Sequence, residues 1–224
     1  MADFASDSIA DEINNKLGLL LCAATGGTPG ETYDQLANKK DRFNGTFLRL
    51  IKLDEWGGVP MNDTQTCEQY MQKQLVKPLQ IEADRYFAFN SNAPVPEAEV
   101  ARMQHILAEQ GPVDICILGL GMNGHIAFNE PASYLLPHCH VARLSETSMQ
   151  HPMANEMEIK PAYGLTFGMA DILQSKKIIL LIHGAHKKNI ASQLMDGKIT
   201  PSLPASFLWL HPDVTCCITE DAYD

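Results

Sequence analysis

Three short stretches of this chain carry residue types that can move protons or hold an anion. Leu53-Asp54-Glu55-Trp56 sets two acids side by side after an apolar run. A carboxylate at the carboxyl end of a strand is well placed for proton transfer; a solvated acidic loop or a helix cap is the plainer alternative. Gly119-Leu120-Gly121-Met122-Asn123-Gly124-His125-Ile126-Ala127-Phe128-Asn129-Glu130-Pro131 presents His125 from a glycine-rich loop with Glu130 shortly after it. Histidine titrates near neutral pH and a nearby carboxylate can orient its ring, although a structural loop histidine has the same appearance. Thr25-Gly26-Gly27-Thr28-Pro29-Gly30 follows another apolar run and leads into a helical stretch from Glu31. Free backbone N–H groups and a partial positive charge in that setting suit a phosphate. The Gly-Lys-Ser/Thr ending of a P-loop is absent, and a plain strand-to-helix turn stays open. Lys187, in His183-Gly184-Ala185-His186-Lys187-Lys188, can hold an anion at the same sheet edge or simply be solvated.

Gly119, Gly121 and Gly124 also match G-x-G-x-x-G, with Glu146 about 20 residues on, as the dinucleotide fingerprint asks. That fingerprint needs a crossover helix of about a dozen residues. Pro131 and Pro137 interrupt the interval 125–139 where it would lie. The glycines therefore read as a crowded loop presenting His125, and no nicotinamide cofactor is expected.

The elements that must position these residues are strands alternating with helices. Candidate strands are Leu17–Ala24, Thr46–Leu53, Tyr86–Asn90, Val113–Leu120, His140–Leu144, Lys177–His183 and Val214–Thr219. Several are apolar throughout, as strands are when both faces are covered. Between them lie amphipathic stripes: Phe4, Ile9, Ile13 and Leu17; Cys67, Tyr70, Met71 and Leu75, ended by Pro78; Val100, Met103, Ile106 and Leu107, opened by Pro96 and closed by Gly111; and Ile190, Leu194 and Met195 before Gly197. Phe207, Leu208 and Trp209 read as core. This order predicts one doubly wound α/β domain over residues 1–224 with a mainly parallel sheet. Ligands bind such sheets beyond the carboxyl ends of the strands, where all the stretches above fall.

Composition narrows the function. The 224 residues are 45% hydrophobic and 20% charged, which excludes a disordered chain. A formal net charge of −10 argues against nucleic-acid and anionic-membrane partners. No apolar run approaches the roughly 18 residues of a membrane span, and the acidic, polar start MADFASDSIADEINN is no signal peptide. Six cysteines without a C-x-x-C pair read as free thiols in a reducing, cytoplasmic setting, with Cys22, Cys116 and Cys216 acting as small hydrophobes. His138-Cys139-His140 and His183/His186 have ligand-like spacing, but no acid or cysteine pair accompanies either at a usual zinc distance, so no metal is expected.

Thr25–Pro29 (TGGTP), Leu53–Trp56 (LDEW) and Gly119–Pro131 together, in content and order, resemble the glucosamine-6-phosphate deaminase/isomerase family. The resemblance runs from about residue 20 to about 215. Leu203–His211 (LPASFLWLH), Asn123 and the chain's shortness make it most similar to the galactosamine-6-phosphate isomerase (deaminase) branch. Sister 6-phosphogluconolactonases share the fold and the glycine-rich loops but lack the Ala-Phe-Asn-Glu-Pro stretch. A non-catalytic sugar-phosphate sensor is a further alternative, against which stands the retention of the proton-transfer residues. The resemblance implies a modified Rossmann-like sheet and cofactor-free, metal-free chemistry on a small sugar phosphate. An amino sugar 6-phosphate is opened, isomerised from aldose to ketose and loses ammonia. It implies Asp54 as the base moving a proton between C2 and C1, and His125 in ring opening with Glu130 and Asn123 in support. Thr25, Gly26, Gly27, Thr28 and Lys187 would bind the phosphate. The chain also departs from the family. Relatives commonly have Asp at position 123; Asn can fix the ring of His125 but brings no negative charge. His140 and Ala142 stand where some bacterial members bind an allosteric amino-sugar phosphate, so no such activation is expected. An arginine that helps hold the phosphate has no clear counterpart, and His151 is the candidate substitute. The reading requires Asp54 and His125 to share one cleft; C4 configuration and oligomeric state are not fixed by it.

Overall fold

Apolar runs flanked by amphipathic segments need both faces of a sheet covered, and the chain folds accordingly. The computed structural model describes residues 1–223. Its strands are β1 (Leu20–Ala23), β2 (Arg49–Lys52), β3 (Asp54–Gly57), β4 (Tyr86–Phe87), β5 (Ile115–Gly119), β6 (His140–Ala142), β7 (Tyr163–Thr166), β8 (Lys177–Ile182) and β9 (Val214–Ile218). The helices are α1 (Ala2–Asn15), α2 (Gly27–Asn38), α3 (Cys67–Met71), α4 (Pro96–Gln110), α5 (Glu146–Met149), α6 (Pro152–Glu156), α7 (Met169–Leu173), α8 (Lys188–Met195) and α9 (Glu220–Tyr223).

Six strands form a wholly parallel sheet in the order β4-β2-β1-β5-β8-β9. Alternate residues of each strand feed opposite cores. Leu20, Cys22, Ile51, Cys116, Leu118 and Ile178 meet α4, α7 and α8 on one face. Leu21, Ala23, Leu50, Ile115, Ile117 and Ile179 meet α1, α2 and the helical turns after α3 on the other. The strand order reverses at β1: the chain first builds outward to β2 and β4, then returns to add β5 on the other side. A crevice opens at such a switch point beyond the carboxyl ends of the strands. The parallel sheet and its helical covering agree with the expected doubly wound class.

A second sheet was not foreseen. β3, β7 and β6 pair antiparallel in the order β3-β7-β6, with Asp54 opposite Thr166 and Trp56 opposite Gly164. Leu53-Asp54-Glu55-Trp56, expected as a loop after a strand, is thus the passage from one sheet to the other. His140–Ala142, expected in the main sheet, belongs to this smaller one. The strand expected over Thr46–Leu53 begins only at Arg49, because Gly45–Phe47 is a 3-10 turn. Three packing expectations are also corrected. Phe4 and Leu17 are exposed, and α1 instead buries the small residues Ala2, Ala5, Ser6 and Ala10 beside Ile9 and Ile13. Trp209 is 54% exposed, although its indole N–H donates to the Leu194 carbonyl at 2.8 Å. Cys216 is exposed while Cys217 faces inward. The glycine-rich loop after β5 opens no helix before β6, as the prolines require.

Candidate active site

Loops at the carboxyl ends of β1, β2, β5 and β8 enclose a cavity of about 740 Å³. Asp54, His125, Thr25, Gly26, Gly27, Thr28 and Lys187 all line it. Glu130 and Asn123 stand behind His125 rather than on the wall. The cleft-sharing that the sequence reading demanded is therefore met by segments far apart along the chain.

At one end, α2 starts at Gly27 directly after β1, so its unpaired N–H groups lie at the cavity wall. Gly26 takes φ +106°, a conformation L side chains rarely adopt. Tyr70 Oη donates to the Gly26 carbonyl at 2.8 Å, and Thr25 Oγ1 donates to Cys67 Sγ at 3.1 Å, tying the loop to α3. Lys187 Nζ donates to the Leu120 carbonyl at 2.7 Å, and burial lowers its pKa to about 8. His151, on the same cavity, caps α6: its Nδ1 accepts from the Met153 N–H at 3.3 Å. The neutral ring therefore carries its proton on Nε2. Nε2 lies at the Gly26 turn, 3.4 Å from where a Cβ on that glycine would stand. Burial, then the nearby His125 and Lys187, keep His151 below its ordinary pKa, so it presents a neutral donor.

His125 is set by a chain of hydrogen bonds. Its Nδ1 lies 2.8 Å from Asn123 Oδ1, and Asn123 Nδ2 donates to Glu130 Oε2 at 2.9 Å. The amide must point its NH₂ at the carboxylate, so Oδ1 is the acceptor for the Nδ1–H of the ring. Nε2 is then the free nitrogen of the neutral imidazole. The ring packs flat against Gly121, where any Cβ would run into it. Glu130 also accepts from the Ser148 hydroxyl and from the Ser145 N–H at 3.3 Å. Burial opposes its ionisation, but His125, with Nδ1 3.5 Å from Oε2, and the bonds from Ser148 and Asn123 prevail and hold its pKa at about 2.

Asp54 is 8% exposed at the carboxyl end of β2. Burial first, then the neighbouring Glu55 carboxylate, raise its pKa to about 7, with Lys52 pulling the other way. A carboxylate poised there can accept a proton from carbon and return it. Beneath it, Lys52 is wholly buried and donates to Glu55 Oε2 at 2.5 Å, Glu68 Oε2 at 3.1 Å and the Phe89 carbonyl at 3.1 Å.

Several of these groups escape a reading of the sequence. Lys52 sits inside an apolar run, where a lysine reads as solvent-facing. Ser148 belongs to Ser145-Glu146-Thr147-Ser148, whose pattern signals only a helix cap; Ser145 Oγ indeed accepts from the Ser148 N–H at 3.1 Å. Trp56, beside the cavity with its ring centroid 4.6 Å from that of Phe128, carries no polar signal at all. Of the ligand-like histidines, His183 and His186 line the cavity. His138 instead meets Asp171 Oδ1 at 3.0 Å.

Comparison with known proteins places these features in a family. A family model described as glucosamine-6-phosphate isomerases/6-phosphogluconolactonase matches residues 1–216. The Escherichia coli (strain K12) protein AgaI, whose name assigns it provisionally as a deaminase, is 35% identical over 97% of this chain and 87% of its own length. Glucosamine-6-phosphate deaminase 1 of Bacillus subtilis (strain 168) is 36% identical over 99% of this chain and 93% of its own. A solved structure described as a monomeric glucosamine-6-phosphate deaminase superposes with a TM-score of 0.94 at 35% identity, covering 99% of this chain and 93% of that one.

Proposed function

Because the chain belongs to the glucosamine-6-phosphate isomerase/6-phosphogluconolactonase family, we propose that it converts galactosamine 6-phosphate, or glucosamine 6-phosphate, to the ketohexose 6-phosphate and ammonia. The observation that carries this reading is one cavity lined by Asp54, His125 and an anion-binding end. The phosphate sits at the α2 N-terminus on Gly26–Thr28 and Thr25, with the Lys187 ammonium and the Nε2–H of His151 completing its contacts. His151 thereby takes the place of the arginine that the family resemblance leads one to expect. His125 Nε2 takes the proton of the anomeric hydroxyl and delivers it to the ring oxygen, opening the hexose. Asn123 and Glu130 keep its Nδ1 protonated and aimed inward. Asp54 then removes the proton from C2 of the open aldose as O1 takes up a proton, giving the enolamine. Asp54 returns its proton at C1 as the amine gives one up, so the double bond ends between C2 and nitrogen with the proton count unchanged. Water adds to that imine and ammonia leaves, so one water is consumed for each ammonia released.

The enzyme acts in amino sugar catabolism in the cytoplasm; no described helix is long and apolar enough to cross a membrane. Ammonia release measured with both C4 epimers tests the proposal, with 6-phosphogluconolactone opening as the control. Ammonia from at least one epimer is expected. Lactone opening without ammonia from either would replace the deaminase with a hydrolase. Tight binding of the esters with no turnover would leave a sensor.

A further inference from the structure

Behind the cavity lies a buried group of charges that the proposed chemistry does not touch. Lys52 ends β2, Glu55 lies in β3 and Glu68 in α3. Lys52 and Glu55 are both 0% exposed, and the Glu68 side chain 12%. Every polar atom of the group is engaged. Lys52 uses its three protons on Glu55, Glu68 and the Phe89 carbonyl. Glu55 Oε2 also accepts from the Glu68 N–H at 2.8 Å, while Oε1 accepts from the N–H groups of Trp56 at 2.8 Å and Cys67 at 2.9 Å. Glu68 takes further bonds from Tyr86 Oη at 2.8 Å and Gln72 Nε2 at 2.9 Å.

Stability alone is a weak reason to keep such a group, because well-packed apolar replacements of buried ion pairs are often neutral or stabilising. Its placement suggests another. It brackets Asp54 on both sides in sequence, at the point where the chain crosses from the parallel to the antiparallel sheet. It also clamps the N-terminus of α3, whose Cys67 Sγ lies 4.0 Å from Asp54 Oδ1 and bonds Thr25 of the anion loop. One ammonium against two carboxylates leaves an uncompensated negative charge beside the base.

We propose that Lys52, Glu55 and Glu68 are positioning residues that fix the Asp54 carboxylate against α3 and, through their net negative charge, set the pH at which it becomes a base. This rests on the reading of Asp54 as the proton-transfer group. The other titratable groups packed around Asp54 are Cys67, Cys22 and Tyr33, all pushed up by burial and so neutral. Across the cavity stand His125, His151 and Lys187. Within the buried shell, charge therefore comes from the triad. Removing a carboxylate must ease ionisation of Asp54, and removing the ammonium must hinder it.

The test follows the Asp54 carboxyl carbon by NMR titration of ¹³C-aspartate protein, assigned by its loss in Asp54→Asn, alongside the pH profile of kcat/KM for ammonia release. Glu55→Gln is expected to move the Asp54 midpoint and the acidic limb downward by about one pH unit, and Lys52→Gln to move both upward. Glu68→Gln, at the partly exposed member that keeps Tyr86 as a partner, moves them downward less and serves where either buried change prevents folding. Folded variants with the Asp54 midpoint at its parental position overturn the proposal. A midpoint that moves as expected in protein releasing no ammonia sustains the network and overturns the proposed activity instead.

Discussion

Replacing Asp54 by Asn removes a group whose ionisation the fold opposes. The carboxyl rises from 3.8 to about 7 on folding. At about 1.4 kcal/mol per pH unit, that opposes the folded state by roughly 4 kcal/mol once Asp54 is ionised in both states. The sign follows from the raised value: the native protein holds the proton more tightly than the unfolded chain. This contribution to stability is therefore fully present below pH 3.8 and is lost as pH rises through that value to about 7. At about pH 5.5 some 2 kcal/mol has been lost, and above about pH 8 the whole of it. The amide cannot ionise, so the stability of Asp54→Asn relative to the parent must improve by about 2 kcal/mol between those two conditions. With a urea m-value of about 2 kcal/mol/M for a chain of this size, the gap in unfolding midpoints widens by about 1 M. Any packing difference between acid and amide is the same at both pH values and cancels. Urea unfolding followed by circular dichroism at both pH values measures the effect, and the same variant should release no ammonia. An equal gap at the two pH values would refute the claim that a buried, strained carboxylate waits on the cavity wall.

Other perturbations probe the remaining groups. kcat/KM should trace a narrow bell, falling below about 7 as Asp54 takes up its proton and above about 8 as Lys187 loses its own; Lys187→Arg, which stays charged, should extend the alkaline side, and an unchanged alkaline limb in that variant would remove Lys187 from the reaction. Asn123→Asp sets a second carboxylate where the amide now lies 2.9 Å from Glu130, and should favour the protonated imidazole, so that Asp54 no longer sets the acidic limb of the pH–rate profile alone and the limb moves upward; a limb left where Asp54 puts it argues against Asn123 as a group that governs the ring. His151→Ala should raise KM for the sugar phosphate and the inhibition constant of inorganic phosphate about tenfold each, the worth of one lost hydrogen bond to a charged group, while kcat stays within about twofold. Equal KM in parent and variant would take His151 out of the phosphate site.

Much of the architecture could be read from the chain because its physical signals are local. Runs such as Ile178–Ile182 have no polar face, so they can only be central strands, and glycine or proline marks where each one ends. The loops at the strand ends carried the chemistry for the same topological reason. What could not be read was set by partners distant in sequence. Asp54-Glu55-Trp56-Gly57 has no strand alternation, and its two acids mask burial that Lys52 and the α3 amides make tolerable. The inner face of α1 is built from alanines because it packs closely on α2, so a search for large apolar residues selects Phe4 and Leu17, which face solvent. Ser148 looks like an ordinary helix-capping residue, and only the folded chain brings it to Glu130; His151 is singled out by the family resemblance alone, and the fold sets its ring at Gly26.

The clamped amide of Asn123 has a consequence for how the protein ages. Asn123-Gly124 is the dipeptide most prone to spontaneous deamidation, because the glycine nitrogen meets little steric hindrance in closing a succinimide on the neighbouring side chain. Here that nitrogen donates to the Gly121 carbonyl at 3.0 Å, and the carboxamide is gripped between His125 and Glu130. Ring closure would have to break all three contacts, so the native fold shelters this bond, and whatever loosens this loop also starts a chemical clock. Protein stressed until this loop loosens should accumulate an aspartyl or isoaspartyl form here, beside any that forms at the exposed Asn44-Gly45, and at Asn123 the lesion lands on the very group aligning the imidazole.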